Sequence, residues 1–530
     1  MLKRATLLLL LLQSLSLYTA SHAAELENIG NFDFPTSASP AAQQHFALGV
    51  GYLHSFGFIQ AQQEFRLAQE IEPNFALAYW GETFTYNHPF IGEWDAESPA
   101  AVLMRLGRTS EERLAKAPTE REKGFIRAAE AYAFTPGPVS NKRTAWMHAM
   151  ADLYAEFPED REVQAFYTVS LLSGATAAGD QQDRLNMRAG ALALRLFKEN
   201  ENHPGAAHYV IHAFDDPIHA PIALEAAFKY ADIAPAVSHA RHMPTHIFIQ
   251  HGMWKEVSAW NESAFNEGAA LWQPGDRPND QNHSSDWGQY GDLQLGDLQR
   301  SERWIERARQ VLRDNPGDAR SAGTVRTMQA RHIIESQHWQ IQELTDDLNG
   351  EELLALGLSA ANLGELSLTN RVAERLAQLV ADRPNDEALR ISQMEVAAMA
   401  KAVDAREQLQ SGMSFSGSDL QQEALTLLLE AVALTDKERL PNGSANPLKP
   451  VHELAGELLL EAGQAQQAAA MFDASLLRTP NRPWSLLGAA RSHANLNHRD
   501  MAAEYYTALL ALWSDDRHPA VQEAKNFLRY

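Results

Sequence analysis

The sequence predicts an all-α protein built from stacked helical hairpins. Three observations lead there. Ala and Leu recur at helical spacing, in segments of ten to fifteen residues broken by Pro, Gly and Asn. Strand patterning is nearly absent. A set of small, aromatic and proline positions returns every 34 residues. The 530-residue chain is 45% hydrophobic and 21% charged, enough to build a large core.

The repeat is clearest at the two ends. Residues 42–75 hold Leu48-Gly49, Tyr52, Ala61, Phe65 and Pro73, with His45 where such patterns usually have Trp and Phe58 at the turn between helices. Residues 449–482 repeat the register with Gly456, Ala468, Phe472 and Pro480, and residues 483–516 follow with Ala502 and Tyr506. The small residues let paired helices approach, the aromatic fills the space between hairpins, and Pro ends the second helix. No unit buries its own apolar face, so several must stack. This pattern resembles the tetratricopeptide repeat (TPR) family, which implies a right-handed superhelix of helical hairpins from about residue 41 to the end. Two weaker units occupy 204–237 and 238–271. Val210-Ile211 and Pro244-Thr245 replace the Leu-Gly of the pattern there. Segments 123–133, 144–156, 162–173, 298–313, 352–382, 386–410 and 420–434 read as helices of similar length.

The first 23 residues read as a secretory signal peptide. Lys3 and Arg4 precede an apolar stretch centred on six leucines, Leu7 to Leu12, and Ser21 and Ala23 have the spacing of a cleavage site. The mature protein is then expected in the periplasm or secreted, with no transmembrane segment. An extension at 24–40 leads into hairpins at 41–135, a central set at 136–316, further hairpins at 317–440 and a C-terminal pair at 441–530. Turn-rich breaks fall at 87–99, 273–285 and 435–450.

Charge and composition narrow the function. The formal net charge is −23, and removing Lys3 and Arg4 makes it −25, which weighs against nucleic-acid binding. The chain has no cysteine, so disulfides, thiolate nucleophiles and thiolate ligands are excluded. A metal site must use His, Asp or Glu. No Gly-rich phosphate loop, nucleophile elbow or HExxH motif is present.

Histidine supplies the candidate chemistry. Eight of the twenty histidines fall between residues 203 and 251, less than a tenth of the chain. Three pairs stand 34 residues apart: His54 with His88, His208 with His242, and His212 with His246. His208 and His242 take the fifth place of consecutive units, His212 and His246 the ninth, and His239 the second. The TPR resemblance implies that these first-helix places line a concave groove. His208 and His212 share one helix face at i and i+4, and His242 and His246 have the same spacing around Pro244. Two such pairs on adjacent helices form a candidate cage for Zn, Cu, Ni or Fe, which neutral imidazoles bind. Asp215 and Asp216 lie one turn beyond His212, and Asp216 joins the set as ligand or outer acceptor. His54, His88 and His283 are candidate additions. Trp80, Tyr209, Trp254, Trp272 and Trp287 read as packing, and Arg326, Arg331, Arg482 and Arg491 as ion-pair formers.

The segments HPGAAHY and HMPTHIF resemble those of an exported branch of bacterial TPR proteins with no established activity. Three functions follow as expectations. The first is an exported scaffold with a His-rich metal or ligand site and a protein or peptide partner in its groove. The second is a metal-dependent enzyme, hydrolytic or oxidative, with Asp216 or Glu82 as base. The third is a metal-free TPR adaptor.

Overall fold

In the computed structural model, residues 28–437 and 445–529 are described; segment 1–23, read above as a signal peptide, lies outside them. Among the described residues the regular structure is helical, with no strand, and no helix is long and apolar enough to cross a membrane. The chain is an all-α array of TPR-like hairpins, as the spacing predicts. It forms two compact units that interleave at residues 216–271.

The 34-residue units at both ends fold as hairpins, Pro40–His54 with Phe58–Ile71, Val451–Glu461 with Ala465–Arg478, and Pro483–Asn495 with Arg499–Leu512. The small-plus-aromatic logic is visible in atoms. A Cβ added at Gly456 would stand 2.9 Å from the Phe472 ring and one at Gly488 2.2 Å from it. Phe472 is therefore wedged between the first helices of successive hairpins, and only a bare backbone admits it on both sides. Asp160, Asp297, Asp318 and Asp386 each accept from a backbone N–H three residues on, which fixes four helix starts.

In the first unit, residues 28–39 run as an extended strap. Phe34 is 3% exposed and packs among Phe46, Trp80, Phe125 and Phe166. Backbone bonds tie the strap down, from Asn31 N–H to Asn202 O at 2.8 Å and from Ala236 N–H to Asn28 O at 3.1 Å. The unit's later helices include Arg161–Ala175, Gln182–Glu199, Pro204–Ala213, Ala220–Ile233 and Ser238–His242.

The second unit joins its early helices to its last ones. Trp254 Nε1 donates to Asn481 O at 2.9 Å and Trp513 Nε1 to Gln294 O at 3.1 Å. Arg482 is fully buried and bonds Glu335 at 2.6 Å and Glu453 at 2.8 Å.

Four places depart from the sequence reading. Helices Gln182–Glu199 and Ala319–Ser336 lacked a clean signature and were not foreseen. The turn-rich break read at 273–285 ends early, because a helix starts at Asn279, so His283 lies inside it. Pro244 splits its helix: Ser238–His242 ends and Pro244–Gln250 begins, because Pro supplies no N–H to continue the ladder.

Candidate metal centre

Helix Pro204–Ala213 starts on His203, whose Nδ1 accepts from Ala206 N–H at 3.2 Å, with Pro204 at the first helical place. One turn apart, His208 and His212 bring their Nε2 atoms to 3.0 Å. His239, from helix Ser238–His242, brings its Nε2 to 3.2 Å from that of His208. Ring nitrogens of the three lie within 4.8 Å of one another. Nitrogens bound at ~2.0–2.1 Å to one tetrahedral ion stand about 3.3 Å apart, close to these separations.

The tautomer of His208 is set by its other nitrogen. Nδ1 lies 2.7 Å from the backbone oxygen of His54, which can only accept, so Nδ1 carries the proton and Nε2 keeps its lone pair. A second pair is arranged likewise. His246 Nδ1 stands 2.7 Å from Asp215 Oδ2, and its Nε2 3.1 Å from His242 Nε2. The ring centres of His212 and His246 are 5.9 Å apart and those of His239 and His242 6.2 Å. The five histidines therefore gather in one place despite the break at Pro244.

Burial favours the neutral form of His208, His212 and His239. It holds the His208 imidazole down at about 3, overriding the His54 carbonyl that favours a proton. His212 and His239 are also held well below the usual imidazole range, first by burial and then by the neighbouring rings. Neutral imidazole is the form a transition metal takes.

Phe56 forms one wall. Its ring centre lies 4.4 Å from that of His208, 5.3 Å from His239 and 5.9 Å from His212. Its backbone sits in the left-handed region at φ 56°, at a cost of ~1–2 kcal/mol for a non-glycine residue. That conformation closes the first hairpin turn and aims the ring at the histidines.

Behind the centre lies a second buried cluster. Glu162 accepts from His54 Nε2 at 2.9 Å and from His203 Nε2 at 3.1 Å, and Tyr209 Oη lies 2.9 Å from His54 Nδ1. Burial pushes the Glu162 carboxyl up, but His54 and His203 outweigh it and hold it well below the usual carboxylate range. Every ring nitrogen here has a protein partner, which reads as an orienting network. Gly205 permits it, since a Cβ there would meet His54 Nδ1 at 2.5 Å.

The predicted candidates thus divide. His208, His212, His239, His242 and His246 come together. His54 reaches the centre through its carbonyl, and its ring belongs to the Glu162 network. His88 stands beside Phe56 and His239, with ring centres 5.1 and 6.4 Å away. The carboxylate against His246 is that of Asp215; Asp216 Oδ1 instead accepts from Ile218 N–H at 2.9 Å, because the chain turns there. His283 lies in the second unit beside Trp287, ring centres 5.4 Å apart. Glu82 is taken up by Arg66, Arg105, Gln69 and Tyr86, which leaves it poorly placed as a base. Arg326, Arg331, Arg482 and Arg491 pair with Glu352, Asp286, Glu335 and Glu523. Trp80, Tyr209, Trp254 and Trp287 are buried, and Trp272 is half-buried. Spacing did not disclose Glu162, the part played by His203, or Phe56. The one local signal was His203-Pro204, a side-chain acceptor before a proline at a helix start.

No family model matches the chain, and no curated protein does. Among solved structures, it is similar to TTC0263, a TPR protein of Thermus thermophilus, at 17% identity over 43% of this chain and 100% of that one, TM-score 0.28. It is similar to the Cut9–Hcn1 hetero-tetramer of the APC/C at 12% identity over 97% and 81%, TM-score 0.35. Yeast Tom70 is 10% identical over 92% and 96%, TM-score 0.28. With every score below 0.5, the hairpin architecture rests on this chain's own helices and the candidate chemistry on its own histidines.

Proposed function

We propose that the protein is an exported TPR-like scaffold that binds a transition-metal ion through His208, His212 and His239 and offers its hairpins to a protein or peptide partner. The observation that carries the metal reading is the meeting of Nε2 atoms at 3.0 and 3.2 Å, with the His208 lone pair fixed by the His54 carbonyl. Zn, Cu, Ni and Fe all suit this donor set. Stacked hairpins present the extended surfaces on which repeat proteins seat partners, and the leader-like first 23 residues support export.

A second reading is a metal-dependent enzyme, hydrolytic or oxidative. In its favour, three histidine ligands leave a tetrahedral ion one open position, as catalytic sites do. Metal analysis of protein purified without an affinity column, followed by an anomalous-scattering map, tests the common element. A bound ion between His208, His212 and His239 supports both readings. Metal-free protein that takes up no added Zn or Cu leaves a metal-free adaptor. Metal-dependent turnover of hydrolytic or oxidisable substrates would favour the enzyme.

A further inference from the structure

We propose that the centre is dinuclear, with a second transition-metal ion held by His242 and His246. The proposal rests on the metal reading above and adds to it a separate ion with its own outer support.

Three observations point this way. First, five imidazoles converge, one more than a tetrahedral ion takes. Their close nitrogen contacts fall into two groups: His208 meets His212 at 3.0 Å and His239 at 3.2 Å, while His242 meets His246 at 3.1 Å. Second, each group has its own anchor on an Nδ1. For His208 it is a backbone carbonyl, and for His246 the Asp215 carboxylate at 2.7 Å. A carboxylate behind an imidazole fixes its tautomer and raises its basicity as a ligand. Ligating imidazoles ordinarily carry such a partner, so each group is equipped to hold an ion. Third, the helix is rebuilt around the pair. Ser238–His242 ends and Pro244 starts a new helix, yet His242 and His246 still face each other, and Thr245 Oγ1 donates to His242 O at 2.7 Å across the break.

With the two groups' ring centres 5.9 and 6.2 Å apart, both ions would lie within a few ångströms of each other. Two-metal sites use such spacing to hold one oxygen ligand between the ions.

The test is metal stoichiometry of the full mature chain, loaded with Zn or Cu alone and dialysed. The expected result is two ions per chain in the parent, one in His242→Ala and in His246→Ala, and two in Asp215→Asn with the second bound 10- to 100-fold more weakly, roughly the usual effect of losing such a support. In the copper-loaded parent, magnetic coupling should reduce the EPR signal below two ions' worth. His246→Ala should restore a full one-ion signal. Helical content by circular dichroism checks that each variant folds. One ion in the parent and still one in His246→Ala would show that the pair is only hydrogen-bonded, overturning the second site and leaving the first intact. One ion in the parent, lost on substituting either His208 or His246, would mean a single five-histidine centre and also overturn the proposal. No ion in the parent would overturn the metal reading itself.

Discussion

His208 Nδ1 donates to the backbone carbonyl of His54, 2.7 Å away in space and 154 positions away in sequence. The anchor belongs to the main chain, so substitution at position 54 cannot remove the acceptor. Nitrogen NMR of metal-free protein near neutral pH should show His208 protonated at Nδ1, in the parent and in His54→Ala alike. An Nε2-protonated His208 would remove the lone pair on which the first site depends.

Metal should stabilise the native chain. An ion that binds only the folded state adds about 2.7 kcal/mol when free metal is 100 times its dissociation constant. Chelator should lower the melting temperature of metal-loaded protein near neutral pH. Burial holds the His208 imidazole down at about 3 and keeps His212 and His239 well below the usual imidazole range, so the drop should persist as pH falls through ~6.5. His212→Ala combined with His246→Ala should abolish the chelator response and keep the helical content. Identical melting with and without chelator in the parent would exclude a metal bound to the native state.

A pH dependence of different origin is expected in the second unit. Glu395 is 1% exposed, and burial pushes its carboxyl up to about 8. The same group in the unfolded chain ionises near 4.5. Between those values the folded state holds a proton the unfolded state has lost. Stability from this group is therefore complete below about 4.5 and declines as pH rises toward 8, by up to ~1.4 kcal/mol per pH unit. Urea denaturation across that range should show the decline in the parent, and Glu395→Gln should flatten it. A parent curve that rises with pH and is unchanged by the substitution would count against a protonated Glu395.

Arg482 should be costly to remove. Arg482→Ala leaves Glu335 buried without its cation, while Glu453 keeps Lys449 at 2.9 Å, and losing one partner of a buried pair costs ~3–5 kcal/mol. Chemical denaturation reads this directly, as a shift of the second unit's transition. A shift under about 1 kcal/mol would put this pairing on a par with exposed ion pairs.

The hairpins were legible because their information is local. Phe65 and Phe472 sit at a fixed distance from the small residues they pack against, and a 34-residue spacing records that. The shared faces of His208 with His212 and of His242 with His246 follow from the same helical period. What surrounds them does not. Glu162 meets His54 across 108 positions, and Phe56 reaches the imidazoles through a left-handed turn. Asp215 and Asp216 could not be ranked from spacing, because the turn after Phe214 decides which carboxylate points at His246. The strap at 28–39 carries no helical period, so nothing local marked Phe34 as a core residue.

The bonds from Trp254 to Asn481 and from Trp513 to Gln294 bear on which changes of length the second unit tolerates. An open row of repeats accepts another copy anywhere, since each new hairpin meets only its two neighbours. Here the early and late hairpins are tied to each other, so the number of hairpins between them is fixed by the span they must close. Duplicating or deleting one between residues 298 and 480 would pull these contacts apart even if every junction were seamless. Length variation in this half should therefore collect in the loops, and copy number, the usual freedom of a repeat protein, should be constrained.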